Sequence, residues 1–172
     1  MVENQFRIYP HQGKNDLITA LKKTLPSISR IPDSKILITI DQDKNDCILL
    51  KNEIQQIIEL QCVCDFKIRI ICRELESWYL GDMNAIENAY PRFKSENYKN
   101  KSYYRNVDKI FSPNLEVLKI IPEYKQYKRL PKIEVAKRIS PFLELEGNKS
   151  SSFNNTIKAI KFLLNHKDSN HS

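Results

Sequence analysis

The sequence predicts an α/β fold, a mainly parallel sheet flanked by helices, followed by a helical and irregular carboxyl-terminal extension. Two observations carry this. Short apolar runs with strand character at residues 35–40 and 66–72 alternate with stretches whose apolar residues recur at helical spacing, and a third strand candidate at 6–9 completes a β-α-β-α-β order. That order implies right-handed crossovers and a ligand site along the carboxyl edge of the sheet. The middle strand ends in two carboxylates one residue apart, Asp41 and Asp43.

Residues 6–9, Phe-Arg-Ile-Tyr, form the first strand candidate, and His11 to Lys14 a turn. Asn15 or Asp16 caps a helix bearing Leu17, Leu21 and Leu25 at helical spacing, and the stretch from Pro26 to Pro32 breaks it. Residues 35–40 are the second strand. Asp46 caps a helix over 47–60 with Leu50, Ile54, Ile57 and Ile58 on one face, and 66–72 is the third strand. Leu75, Trp78, Tyr79, Asp82 and Met83 follow helical spacing directly afterwards. Residues 91–122 have few regular periods and read as a basic insertion that folds over the site. Helices are predicted at 132–139 and 153–164, the last with Ile157, Ile160, Phe162 and Leu164 as its apolar face, and residues 167–172 as a disordered tail. One domain over 1–172 is expected, with the βαβαβ core in 1–90 and the insertion and terminal helices in 91–172.

No run approaches the roughly 20 apolar residues that cross a bilayer, and the amino terminus lacks a signal-peptide core, so a cytoplasmic protein away from membranes is expected. The four cysteines, Cys47, Cys62, Cys64 and Cys72, lie in or beside apolar segments without a Cys-x-x-Cys pair and read as buried, reduced thiols. Net charge is +7. Between Arg92 and Arg138 thirteen Lys or Arg face five Asp or Glu, so this segment holds the entire excess. Tyr98, Tyr103, Tyr104, Tyr124 and Tyr127 are interleaved with those cations. The pattern suits a phosphate backbone and its bases, and equally a solvated lysine-rich surface.

Strand alternation puts Asp41 and Asp43 on the same side at the sheet's carboxyl edge. Glu74 falls at the next strand-to-helix junction, and Glu76 at the border of the buried helical stripe. Carboxylates that converge raise one another's pKa unless a cation neutralises them. Mg2+, or Mn2+ in its place, is the expected cofactor, with Asp41, Asp43 and Glu74 as ligands and Glu74, Glu76 and Lys14 as catalytic candidates. His11, Gly13 and Lys14 in the first loop, Arg73 beside Glu74, and Asn148, Lys149 and Ser152 in a later loop are candidate phosphate contacts. Each has a structural alternative: first-turn helix acids for the glutamates, solvent-facing side chains for His11 and Lys14, and a polar loop capping the last helix through a serine.

The clusters His11-Gln12-Gly13-Lys14-Asn15-Asp16-Leu17, Asp41-Gln42-Asp43 with Asp46-Cys47 and Leu50-Lys51, Arg69-Ile70, Arg73-Glu74-Leu75-Glu76, Trp78-Tyr79-Leu80, Asp82 and Asn148-Lys149-Ser150-Ser151-Ser152-Phe153 recur in order. Through nearly the whole chain they resemble domain of unknown function 4276, a family similar to the Toprim-like nuclease domains of topoisomerases, primases and overcoming-lysogenization-defect proteins. The resemblance implies a Toprim-like fold and magnesium-dependent phosphodiester chemistry on DNA or RNA, with Asp41 and Asp43 matching the Asp-x-Asp motif and Glu74 and Glu76 the Glu-Leu-Glu cluster. It also suggests a bacterial defence or mobile-element module, such as phage defence, and a partner protein encoded nearby. Toprim-like domains open with a strand ending in a glutamate. This chain opens at what corresponds to their second strand, and Glu3 precedes a strand candidate, so that role is not carried over to it. Either an in-frame strand lies upstream of Met1, or this is a short variant lacking the glutamate. Two other functions fit the residues: a catalytically inactive nucleic-acid-binding or regulatory subunit, and a metal-dependent nucleotide-sugar transferase that holds a diphosphate through Asp-x-Asp. Phosphatases with an aspartate nucleophile want small residues after the motif, where Lys44-Asn45 stand.

Overall fold

The computed structural model describes residues 6–165. Glu3, His166, His171 and the tail at 167–172 lie outside the described residues. Strands β1 (Lys35–Asp41) and β2 (Asp65–Ile71) pair in parallel, from Lys35 opposite Asp65 to Asp41 opposite Ile71. Among the described residues the sheet consists of these two strands. The expected strand at 6–9 has no regular structure, and Phe6 and Ile8 are 82% and 77% exposed. Without a partner strand or an apolar surface to cover them, four residues gain too little to offset the entropy of ordering.

Helix α1 (Lys14–Ile28) begins one residue before the expected caps, because Gly13 takes a positive φ of 83° and serves as the N-cap. The Asp16 carboxylate reaches back to accept the Gln12 N–H at 2.8 Å. The helix ends at Ile28, inside the expected break of Pro26 to Pro32 and two residues beyond Pro26. Pro26 sits in the last turn, where Leu25 is buried and the Ser29 N–H still reaches the Leu25 carbonyl at 2.9 Å. Helix α2 (Cys47–Glu59) starts as its sequence dictates, with Asp46 Oδ1 accepting from the N–H groups of Ile48 and Leu49. Leu17, Leu21 and Leu25 of α1 and Leu50, Ile54 and Ile58 of α2 pack on the sheet face made by Ile36, Ile38, Ile40, Phe66, Ile68 and Ile70. This is the period-of-two and period-of-3.6 matching that the sequence pattern demands.

The other sheet face is covered by α7 (Ser151–Asn165), where Lys67 Nζ lies 4.0 Å from the centre of the Phe162 ring. The buried stripe of α7 is Ser152, Phe153, Thr156, Ala159 and Leu163, whereas Ile160, Phe162 and Leu164 are exposed. The expected apolar face was thus displaced. The buried stripe includes Ser, Thr and Ala, and a reading that counted only large apolar residues passes over them.

A second apolar cluster is built from α3 (Glu76–Gly81), α4 (Met83–Ala89), short 3-10 turns between 95 and 109, α5 (Pro113–Ile120) and α6 (Lys132–Ile139). Its centre is Leu80, Ile86, Tyr90, Phe93, Val107, Val117, Ile121, Val135 and Ile139, most of them fully buried. Residues 91–122 therefore contribute Phe93, Tyr104, Val107, Ile110, Val117, Ile120 and Ile121 to a core shared with α3, α4 and α6. The helix expected to run through Asp82 is split there, because the Asp82 carboxylate accepts the Ala85 N–H at 3.0 Å and starts α4.

The thiols also depart from expectation. All four cysteines are free, but Cys47 is exposed at the outer start of α2 and Cys62, Cys64 and Cys72 are half-buried. No helix among the described residues is long and apolar enough to cross a membrane.

Candidate functional site

The two strands end together. Beyond β1 and β2 the parallel ladder continues through the Gln42 N–H to the Ile71 carbonyl at 2.8 Å and the Asp43 N–H to the Arg73 carbonyl at 3.0 Å. Asp43 and Arg73 both take left-handed backbone conformations, with φ of 50° and 60°. Asp and Arg pay for that geometry, so two such residues bonded to each other at one sheet edge mark a place where the fold holds strain. Strand alternation consequently stops at Asp41, and the turn, instead of the pleat, brings Asp43 beside it.

Four carboxylates meet at this edge. Burial, then the charges of Asp43 and Glu76, push Asp41 from an ordinary 3.8 up to about 6; Lys132 opposes them, and Glu74 adds a smaller push. Glu76, in the first turn of α3, is 3% exposed, and burial holds its carboxyl above the usual range although Lys132 pulls it down. Glu74 is half-buried, and its Oε2 accepts the Asn114 N–H at 3.3 Å. Lys132 Nζ lies 3.4 Å from Glu76 Oε1 and 3.7 Å from Glu74 Oε1. Partial burial alone lowers the lysine's pKa, but Glu76 and Glu74 outweigh it and leave the ammonium above its ordinary value.

Lys132 is the residue that sequence reasoning missed. It opens α6, where a cation opposes the helix dipole, and that unfavourable placement was the available signal. Among the described residues no group of three His, Cys, Asp or Glu side chains stands in metal-ligand geometry. Asp41, Asp43 and Glu74 are hard oxygen donors of the type magnesium or manganese takes, but they do not stand in the geometry of a ligand set.

The remaining candidates go elsewhere. His11 Nδ1 lies 3.6 Å from Asp16 Oδ2, Lys14 Nζ pairs with Glu53 of α2 at 2.6 Å, and Gly13 caps α1 with nothing within 4 Å of where a Cβ would stand. Asn148, Lys149 and Ser152 clamp the end of the chain to α3. Buried Asn148 donates from Nδ2 to the Trp78 carbonyl at 3.0 Å and accepts the Ser150 N–H at 2.8 Å. The Lys149 N–H reaches the Gly81 carbonyl and its Nζ the Lys99 carbonyl. Ser152 Oγ accepts from Trp78 Nε1 at 2.9 Å, its N–H donates to Asp108, and Ser150 Oγ caps α7 by accepting the Phe153 N–H. Gly81 permits the clamp, since a Cβ there would lie 1.9 Å from Asn148 Oδ1. The serine-capped loop was one of the two readings the sequence allowed. Arg73 lies over Phe111, its guanidinium carbon 5.5 Å from the ring centre.

Comparison of the chain with protein-family models, curated proteins and solved structures finds no significant match.

Proposed function

We propose that this chain is a Toprim-like domain, of the kind grouped as domain of unknown function 4276, that binds Mg2+ or Mn2+ and hydrolyses phosphodiester bonds of DNA or RNA in the cytoplasm. The observation that carries the reading is that Asp43, Glu74 and Glu76 act on Asp41 at the end of two parallel strands, with Lys132 ion-paired to the two glutamates. Asp41, Asp43 and Glu74 would hold the metal, which when bound neutralises phosphate charge and acidifies water. Glu76, buried with a carboxyl above the usual range, is suited to accept a proton from the attacking water. The cation-rich segment from Arg92 to Arg138 supplies attraction for the phosphate backbone. The setting in a bacterial defence or mobile-element module, beside a partner protein, rests on the resemblance alone.

One observation favours a second reading, a non-catalytic nucleic-acid-binding or regulatory subunit. Lys132 already neutralises part of the cluster, as the counter-ion of a site that has given up its metal would. Cleavage of labelled single- and double-stranded DNA and RNA with and without Mg2+ decides between them. Metal-dependent cleavage that disappears in the Asp41→Ala, Asp43→Ala double variant, with the fold retained, is the expected result. Salt-sensitive binding without cleavage selects the second reading, and cleavage undiminished in the variant overturns the site.

A further inference from the structure

We infer that Phe111, with Arg73 laid against it, is a stacking platform for an unpaired nucleobase at the edge of the carboxylate cluster, so that the site takes single-stranded nucleic acid. The inference rests on the reading of the cluster as a phosphodiester site and names its substrate class.

Phe111 is 74% exposed although both of its flanks are anchored: Ile110 is buried in the second apolar cluster and Pro113 begins α5 from a buried position. The ring is therefore held outward by a fixed backbone and does not belong to a loose loop. Its place relative to the cluster is equally fixed, since the N–H of Asn114, three residues on, is bonded to Glu74 Oε2. Arg73 immediately precedes Glu74 and is set in its left-handed conformation by two contacts, its carbonyl accepting the Asp43 N–H and its own N–H donating to Gln42 Oε1 at 3.4 Å. That conformation brings the guanidinium over the Phe111 ring.

A guanidinium and an exposed ring presented together suit a phosphate and the base attached to it. Bases of a duplex are already stacked on their neighbours and leave no free face for the ring, which selects an unpaired strand. Leu115 and Ile133, next in sequence to Asn114 and Lys132, are also exposed. The surrounding cation-rich segment complements a polyanion better than it does an apolar protein surface.

The test compares fluorescence anisotropy of a labelled oligo(dT) of about 12 nucleotides, an abasic oligomer of the same length and a duplex, each with Ca2+ in place of Mg2+. Wild-type protein is expected to bind oligo(dT) more tightly than either competitor. Phe111→Ala is expected to weaken oligo(dT) about tenfold and leave the abasic oligomer unchanged, and Phe111→Trp to retain the affinity. Arg73→Ala should weaken both single strands, because it acts on phosphate. Equal affinity for oligo(dT) and the abasic oligomer, or an unchanged oligo(dT) affinity in Phe111→Ala, overturns the inference and leaves a protein partner as the occupant of the exposed ring. Metal-dependent cleavage that persists beside such a result leaves the phosphodiester reading standing, so the two fail separately.

Discussion

Replacing Lys132 with methionine removes the cation between Glu74 and Glu76 while keeping the length of the side chain. At 3.4 Å and an effective dielectric near 20, the Lys132–Glu76 attraction has a ceiling of about 5 kcal/mol. The lysine side chain is half-exposed, so water recovers much of that. Glu76 also escapes the penalty by protonating, which limits the loss to about 1.4 kcal/mol for each pH unit between its raised pKa and the assay. The expected destabilisation is about 1–3 kcal/mol near pH 8. Its sign with pH follows from Glu76. A carboxyl whose folded-state pKa lies above the unfolded value carries no penalty while both states are protonated, and the penalty grows as pH rises through the folded value. The variant should therefore match wild type near about pH 4 and fall behind it towards pH 8 in urea unfolding followed by circular dichroism. Millimolar Mg2+ should then stabilise the variant more than wild type, because a divalent ion replaces the missing charge. Equal losses at both pH values, or none at pH 8, would refute the placement of Lys132 as the cluster's counter-ion.

Asp41→Asn removes a carboxyl pushed up to about 6, so folding no longer opposes its ionisation. The variant should melt at a higher temperature than wild type at about pH 8, by about 1–2 kcal/mol of stability, and the difference should vanish by about pH 2.5, well below both pKa values; an unchanged melting temperature at pH 8 contradicts the burial and charge repulsion that raise Asp41. Asn148→Ala breaks two buried hydrogen bonds and should cost about 2–3 kcal/mol in denaturant unfolding. Gly81→Ala meets Asn148 Oδ1 and the Ser150 backbone nitrogen. It should cost about 2 kcal/mol or more in wild type and measurably less in the Asn148→Ala background, and strict additivity of the two contradicts the clamp.

Much of the first half of the molecule was legible because its signals are local. Apolar residues at 17, 21 and 25 and at 50, 54 and 58 lie on single helical faces, and Asp46 is a cap by its chemistry. The strands at 35–41 and 65–71 are short β-branched runs whose partners lie close in sequence order. Expectation failed where tertiary context decides. On α7 the expected Ile160 and Leu164 are exposed, whereas Thr156, Ala159 and Leu163 are buried. Residues 91–122 join the second core through aromatic contacts such as Phe93 with Tyr98 and Tyr98 with Tyr104, which a search for regular periods does not detect. At the site, Asp41, Asp43 and Glu74 were read from strand ends and Glu76 from the border of a helical stripe; the charges of the other three act on Asp41, although Asp43 arrives by a turn and not by the expected strand alternation. Lys132 was missed because it arrives from about 55 residues downstream on another helix, and Lys14 was overvalued because its partner Glu53 lies on a helix whose orientation the sequence does not disclose.

The most direct measurement is calorimetric titration of the intact protein with Mn2+ at neutral pH, beside the Asp41→Ala, Asp43→Ala double variant. Saturable binding in wild type that is lost in the folded double variant is the predicted result. Binding of equal strength in both, or none in wild type, would contradict a divalent-ion site at the ends of the two strands.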